Sequence, residues 1–377
     1  MKGCLIYIFI GLPLLVSAQQ TINGTITHGG LQRSYILYVP DSYTPGTPAP
    51  LVLNFHGYTS TAFEQMFYGD FRPIADTAGF LVVHPMGTLD LIGNPHWNVG
   101  WGLSTVDDVG FTNALIDSLS AQYDINQDRI YSTGMSNGGF MSYKLACDLS
   151  PRIAAIASVT GSMNINQSAT CNCQHPMPVM EIHGTADETV AYGGSVIFAS
   201  IENVLAYWVG FNSCDTPPAI TTIPDSDISD GCTAEHQLFS NGDNGVVVEH
   251  FKIINGAHTW PGSAFGGVGT NQDIDASQEI WRFFSRYDIH GLINTTSVGD
   301  QVNHNSIRIY PNPATTFITI ESDVDQQVHY SLSSLLGQKF GSGTTSSRFH
   351  DINIASLPSG MYLLNIDEVV YKFYKQE

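Results

Sequence analysis

The sequence predicts an α/β domain built on a mostly parallel sheet, followed by a small all-β sandwich. Three observations carry this expectation. Between Tyr35 and Tyr287, short β-branched runs alternate with amphipathic stretches, as strands and helices do when they take turns along a chain. Several strand-like runs are apolar throughout, which a sheet covered on both faces requires. After Tyr287 the helical period disappears, and short alternating runs punctuated by Gly and Pro take over; their extent fits a sandwich of about 75 residues.

Composition narrows the field further. The 377 residues carry 14 Lys and Arg against 34 Asp and Glu, a formal net charge of −20. That balance argues against nucleic acid and anionic membrane surfaces, because phosphate binding needs clustered Lys and Arg. Hydrophobic residues make up 43% of the chain and charged residues only 13%, so a sizeable core can form and general disorder is excluded.

Taken in order, residues 1–18 read as a secretory leader. Lys2 precedes an apolar run from Leu5 through Leu15, and Val16-Ser17-Ala18 supplies a small-x-small cleavage pattern. Gly11 and Pro13 interrupt the run, which is too short to span a bilayer comfortably. The body, residues 19–290, shows strand-like runs at Leu51 to Phe55, Phe80 to His84, Arg129 to Thr133, Ile153 to Val159, Val179 to His183 and Val246 to Ile254. Val106 to Gln122 and Ser277 to Tyr287 carry apolar residues at helical spacing. Residues 291–305 are polar and weakly patterned, a linker. The β tail occupies residues 306–377.

Cysteine usage agrees with export. Loss of Cys4 with the leader leaves Cys147, Cys171, Cys173, Cys214 and Cys232. Cys214 and Cys232 flank a Pro- and Asp-rich loop and are expected to pair, stabilising the fold by about 3 kcal/mol. Cys147 then has Cys171 or Cys173 as its partner. Cys171, Cys173 and His175 also have the spacing of metal ligands, but export favours disulfides over zinc–thiolate sites, and no metal is expected.

The chemistry is concentrated at Gly134-Met135-Ser136-Asn137-Gly138-Gly139. This is G-x-S-x-G between a strand and a helix, where a sharp turn exposes a nucleophilic serine. Side chains at Gly134 or Gly138 would clash where strands pack closely. A serine hydroxyl is a weak nucleophile at neutral pH, so Ser136 needs a base within hydrogen-bond reach. His258 follows the strand Val246 to Ile254 and stands in the expected loop; His56, His84, His183 and His250 lie in or beside apolar runs and read as structural. The acid that orients the base should fall between them in sequence. Asp187, just past the strand Val179 to His183, is the first candidate, and Glu188 the second. Asp225, Asp227 and Asp230 read as solvated surface. Two backbone N–H groups should hold the oxyanion, those of Asn137 and Tyr58, each worth about 3 to 4 kcal/mol in the transition state. Trp101 and Trp260 are candidates to line an aromatic acyl site or, equally, to pack in the core.

His56-Gly57, Trp101, Asp107-Asp108-Val109-Gly110-Phe111, the serine motif, His183-Gly184 with Asp187, and His258-Thr259-Trp260-Pro261-Gly262 occur in one order. Together, over about Gly24 to Tyr287, they resemble the polyhydroxybutyrate depolymerase-like secreted esterases, which overlap carbohydrate esterase family 1 with its feruloyl and acetylxylan esterases. The resemblance implies an α/β-hydrolase fold, a triad on Ser136, Asp187 and His258, and an ester-bearing polysaccharide or, second, a polyester as substrate, with no cofactor. A serine peptidase would need an extra specificity domain for which the body has no room. The family often has Cys at the position of Tyr58. In the tail, Ile309-Tyr310-Pro311-Asn312-Pro313, Leu357-Pro358-Ser359-Gly360-Met361-Tyr362 and the Lys-rich end resemble the sorting domain of type IX secretion. That likeness implies export across an outer membrane by the type IX machinery and an extracellular or cell-surface destination.

Overall fold

In a computed structural model, the described residues are 19–293, 307–310, 314–322, 328–334, 338–345, 349–366 and 369–376. The expected leader lies outside them, as do most of the expected linker and Pro311 to Pro313. The chain divides into two compact units, Met1–Asn294 and Thr295–Glu377.

The first unit is organised by one ten-stranded sheet. Its strands are β1 (Gln20–His28), β2 (Leu31–Val39), β3 (Ala49–Phe55), β4 (Leu81–Pro85), β5 (Ile125–Met135), β6 (Ala155–Val159), β7 (Val179–Gly184), β8 (Ala219–Thr222), β9 (Thr233–Phe239) and β10 (Val248–Ile254). They lie in the order β1-β2-β4-β3-β5-β6-β7-β10-β9-β8. From β4 across to β10 every neighbouring pair is parallel. The antiparallel pairs β1–β2 and β2–β4 finish one edge, and β10–β9 and β9–β8 the other.

Because alternate residues of a strand face opposite ways, the sheet feeds two cores. Leu51, Leu53 and Phe55 join one cluster, with Phe111, Leu115, Phe140, Leu145, Val204 and Trp208 packed against that face. Val52, Ala155, Ala157 and Val159 join the other, with Phe71, Ala75, Ile280 and Phe283. Helix α1 (Ala62–Tyr68) buries Ala62 and Met66 in a small cluster with Ile36, while the packing helices are α2 (Arg72–Ala78), α3 (Asp108–Ser120), α4 (Asn137–Asp148), α5 (Ile201–Phe211) and α6 (Ala276–Phe284). α3 starts where the Asp107 carboxylate accepts the Gly110 N–H at 2.8 Å, a side-chain cap.

The second unit pairs two antiparallel sheets. One joins Ile307–Tyr310, Phe317–Ser322 and Phe349–Asn353; the other joins Lys339–Thr345, Val328–Ser334, Gly360–Ile366 and Val369–Lys375. Ile318, Ile320, Leu332, Leu364, Ile366 and Phe373 meet between them in a single core, the sandwich the alternating pattern predicts.

The cysteine pairing expected between Cys214 and Cys232 is corrected by the structure, in which Cys147 is bonded to Cys171 and Cys173, Cys214 and Cys232 are free. The N–H of Asp215 donates to Ser240 O beyond one end of β9, whereas Cys232 immediately precedes its other end. At about 3.3 Å per residue the strand holds the two thiols on the order of 20 Å apart, far beyond the reach of a disulfide. Cys171 is therefore committed to Cys147, and the His175 ring faces the carbonyls of Pro176, Ser150 and Ile153 at 2.8, 3.0 and 3.1 Å.

Two results should follow for the exported protein. Alkylation under denaturing conditions without reductant should modify Cys173, Cys214 and Cys232 and spare Cys147 and Cys171, read by peptide mapping. The double replacement Cys147→Ser/Cys171→Ser should lower unfolding stability by about 3 kcal/mol, read by denaturant titration; an unchanged midpoint would contradict the assignment.

Candidate active site

Four parallel strands deliver the site, because β3, β5, β7 and β10 all end at the same edge of the sheet. β5 runs on to Met135 and α4 begins at Asn137, leaving Ser136 alone in the turn. Its backbone sits at φ 55° and ψ −119°, a conformation that costs a non-glycine residue about 1–3 kcal/mol. The Ser136 N–H donates to Val159 O at 2.8 Å, and Phe140 N–H donates to Ser136 O at 3.0 Å, so both neighbours of the turn are tied down. Gly134 and Gly138 permit it: a Cβ at either would lie 2.5 or 2.2 Å from the Phe55 carbonyl oxygen.

His258 and Asp187 are joined directly. Nδ1 of His258 donates to Oδ2 of Asp187 at 2.7 Å; since a carboxylate only accepts, that nitrogen carries the proton. The other carboxylate oxygen of Asp187 accepts the N–H groups of Thr189 and Val190, each at 2.8 Å. Asp187 is buried, whereas neighbouring Glu188 is exposed, so only the first candidate can be fixed in this way.

Behind Asp187 lies His183, which sequence reasoning treats as merely structural. Its Nδ1 donates to Glu181 Oε1 at 2.9 Å and its Nε2 to Val190 O at 2.7 Å, with Asp187 Oδ2 3.4 Å from Nε2. Glu181 in turn accepts the Tyr143 hydroxyl at 2.7 Å. Burial works against charge on His183, but the bonds to Asp187 and Glu181 outweigh it and raise its pKa to about 9. Burial likewise opposes charge on Asp187, yet the hydrogen bonds from His183 and His258 hold its carboxyl well below the usual carboxylate range. Asp187 therefore stays ionised at neutral pH.

The two expected oxyanion donors come from the segments that follow β3 and β5. Asn137 opens α4, where first-turn N–H groups have no intrahelical acceptor. Tyr58 follows the end of β3 and is anchored through its side chain, its hydroxyl donating to Asp90 Oδ2 at 2.6 Å and accepting from Asn94 Nδ2 at 2.9 Å. The anchoring ties the loop after β3 to the hairpin residues Asp90 and Asn94.

Ser136, His258, Gly57 and Tyr58 line one cleft of about 610 Å³. Its apolar wall is formed by Phe63, Phe67, Tyr68, Met135 and Phe265. Phe63, Phe67 and Phe265 are 60%, 40% and 72% exposed, unusually open for large apolar rings. Phe63 and Phe67 lie one turn apart on α1 with centroids 5.0 Å apart, and the Arg72 guanidinium sits 4.5 Å over Phe67. These rings are absent from the sequence reading. The signal was present, since Thr61 and Glu64 form a reciprocal capping box whose pattern marks a helix start three residues after Tyr58.

Trp101 and Trp260, expected as possible acyl-site residues, are not among the residues lining this cleft. Trp101 is half-buried and meets Phe140 edge-on at 4.9 Å. Trp260 is 1% exposed, donates Nε1–H to Ser277 Oγ at 3.2 Å, and floors a smaller cleft of about 200 Å³ next door. Both indoles are held by the core; the aromatic wall comes from α1 and the loop after His258 instead.

Comparison with known proteins agrees with this architecture. Residues 107–205 match the Phospholipase/Carboxylesterase family model, and residues 308–376 match the Secretion system C-terminal sorting domain. A bifunctional acetylxylan esterase/xylanase of Neocallimastix patriciarum is 27% identical over 285 residues, covering 74% of this chain and 37% of that protein. Feruloyl esterase B of Piromyces equi is 27% identical over 237 residues, 60% of this chain and 42% of that protein. This chain thus spans well under half the length of either. Feruloyl esterase D of Neurospora crassa is 25% identical over 277 residues, covering 71% and 86% of the two chains. Among solved structures, an acetyl xylan esterase from Aspergillus awamori has a TM-score of 0.47 at 14% identity, covering 71% of this chain and 99% of that one. The first unit has an α/β-hydrolase fold with homologues among the feruloyl and acetylxylan esterases, and residues 308–376 are similar to secretion-system C-terminal sorting domains.

Two measurements probe the site's physics. Ser136→Gly relieves the positive φ that Ser136→Ala retains, so the glycine variant should be about 1 kcal/mol the more stable of the two by denaturant titration. A histidine with a raised folded pKa contributes full stability below its unfolded value and loses it as pH rises through the folded one. Wild-type stability should therefore decline between pH 6.5 and about 9, and His183→Gln should remove that slope; equal slopes would contradict a charged His183.

Proposed function

We propose that this protein is an exported serine carboxylic-ester hydrolase acting on aromatic-acyl esters, of the feruloyl kind, borne by plant polysaccharide. The observation that carries the reading is the 2.7 Å bond from His258 to Asp187 beside a cleft that His258 shares with Ser136. The homologues among feruloyl and acetylxylan esterases support the chemistry. The exposed Phe63, Phe67 and Phe265 favour a flat aromatic acyl group over acetyl, which would leave such a wall unused.

In this mechanism the Ser136 hydroxyl attacks the ester carbonyl while His258 Nε2 takes its proton. Asp187 holds the tautomer and stabilises the imidazolium without taking the proton itself. The Asn137 and Tyr58 N–H groups receive the negative charge on the tetrahedral oxygen. His258 then gives its proton to the departing alcohol, leaving an acyl-Ser136. Water, deprotonated by the same histidine, attacks the acyl carbon, and the acid leaves as Ser136 regains its proton. The sorting-domain match supports passage through the type IX secretion machinery, with a cleaved leader at residues 1–18 for the first, inner membrane.

Ser136→Ala should reduce turnover of a short p-nitrophenyl ester roughly a millionfold while circular dichroism stays that of the wild type; retained turnover would remove Ser136 from the mechanism. For the substrate, methyl ferulate, acetylated xylan and polyhydroxybutyrate film assayed side by side should rank in that order. Phe63→Ala/Phe67→Ala should raise KM for methyl ferulate about tenfold and leave p-nitrophenyl acetate nearly unaffected. Clearing of the film alone would favour the polyester reading.

A further inference from the structure

Trp97 makes contacts that neither the triad nor the cleft explains. It is fully buried just after the short hairpin Thr88–Leu89/Pro95–His96, and it reaches both arms of the proposed oxyanion site. On one side its indole Nε1–H donates to the His56 carbonyl at 2.9 Å. On the other, its backbone N–H donates to Asn137 Oδ1 at 2.6 Å while Asn137 Nδ2 donates to the Trp97 carbonyl at 3.2 Å. The Asn137 side chain is thereby committed to Trp97.

The His56 arm carries this restraint one peptide further. His56 Nδ1–H donates to the Gly57 carbonyl at 2.7 Å, and that carbonyl belongs to the same planar unit as the Tyr58 N–H. The Gly87 N–H donates to His56 Nε2 at 2.9 Å, so the ring is neutral with its proton on Nδ1; burial, which lowers its pKa to about 4, agrees. Trp97 itself cannot shift easily. Its ring meets Phe55 edge-on at 4.9 Å and His56 at 5.0 Å. The next residue is pinned where Asn98 N–H donates to Asp108 Oδ2 at 2.7 Å, and Asp108 is paired at 2.6 Å with Arg33 in a buried ion pair.

We infer that Trp97 is a positioning residue that ties the Asn137 and Tyr58 N–H donors into one rigid oxyanion clamp. This rests on the esterase reading above. A clamp set before substrate arrives favours the tetrahedral state, in which charge develops, and has little to do with the ground state. Misplacing such groups by even about 1 Å costs on the order of a hundredfold.

The test compares the full-length chain with Trp97→Phe, which keeps an aromatic ring and deletes the indole N–H, and Asn137→Ala, which keeps the backbone N–H and deletes the side-chain grip. Each should lower kcat for p-nitrophenyl butyrate about 10- to 100-fold with KM changed less than about twofold. Inhibition by phenylboronic acid, whose serine adduct places a tetrahedral oxygen among the donors, should weaken by a similar factor. The double variant should fall short of the product of the two single effects, because Trp97→Phe opens the His56 joint and Asn137→Ala the Asn137 joint of one chain. Unchanged kcat, or a fall in kcat with unchanged boronate affinity, would overturn the assignment. If Trp97→Phe does not fold, Asn137→Ala decides alone by the same two readouts. A normal kcat in these variants beside an inactive Ser136→Ala refutes the clamp only; an active Ser136→Ala refutes the esterase reading itself.

Discussion

The Phe55 carbonyl presses so closely on the turn after β5 that only glycine fits at positions 134 and 138, and the rest of the site depends on that crowding. It brings the ends of β3 and β5 together, so that the residues after His56 and after Ser136 face one another. It also forces the chain from strand to helix within a single residue, which puts Ser136 at a positive φ. A looser junction would let the serine relax into α4, and its hydroxyl would then cap a helix instead of meeting a substrate. The parallel sheet supplies the remaining partners, since β7 and β10 end at the same edge as β5 and hand on to Asp187 and His258.

Charge is arranged in depth behind that edge. Tyr143, Glu181, His183 and Asp187 form a chain of buried hydrogen bonds that ends at His258. A lone buried carboxylate would tend to take up a proton. Here the imidazole of His183 offsets the cost, and two backbone N–H groups use the second oxygen. The carboxylate is left with one free direction, and it points at His258. Pre-organisation of this kind is where much of an enzyme's rate advantage originates. In the proposed reaction, the exposed rings of α1 and Phe265 would supply uncharged contact area for an ester whose acid portion is flat and apolar.

Much of this was legible in the chain, and the exceptions have physical reasons. Local patterns sufficed where burial is uniform: the mostly apolar runs around Leu53, Val83, Ile156 and Ile182 are strands because both faces are covered. The G-x-S-x-G turn was legible because its steric demand admits few residue types. Edge strands were harder. β1, β8 and β9 are polar and partly exposed, so their periodicity is faint and their place is set by pairing with neighbours. The Cys214–Cys232 pairing failed for a related reason: proximity in sequence suggested a short loop, but the intervening strand β8 runs antiparallel to β9 and leaves the two thiols at opposite ends of β9. Trp260 had the right neighbours in sequence and the wrong side of the loop in space. Trp97 acts through side chains about 40 residues away, a contact a single sequence does not signal, whereas His183 lies close in sequence to Glu181 and Asp187 and reads as structural because it closes an apolar run.

The account stands on Ser136 being the one hydroxyl that His258 and Asp187 activate. The most direct measurement is to treat the folded protein with a fluorophosphonate and locate the adduct by peptide mass spectrometry, in wild type and in His258→Ala. A single stoichiometric adduct on the peptide containing Ser136, lost when the imidazole is removed, is the predicted result. An adduct on a different serine, or equal labelling of Ser136 without His258, would contradict it.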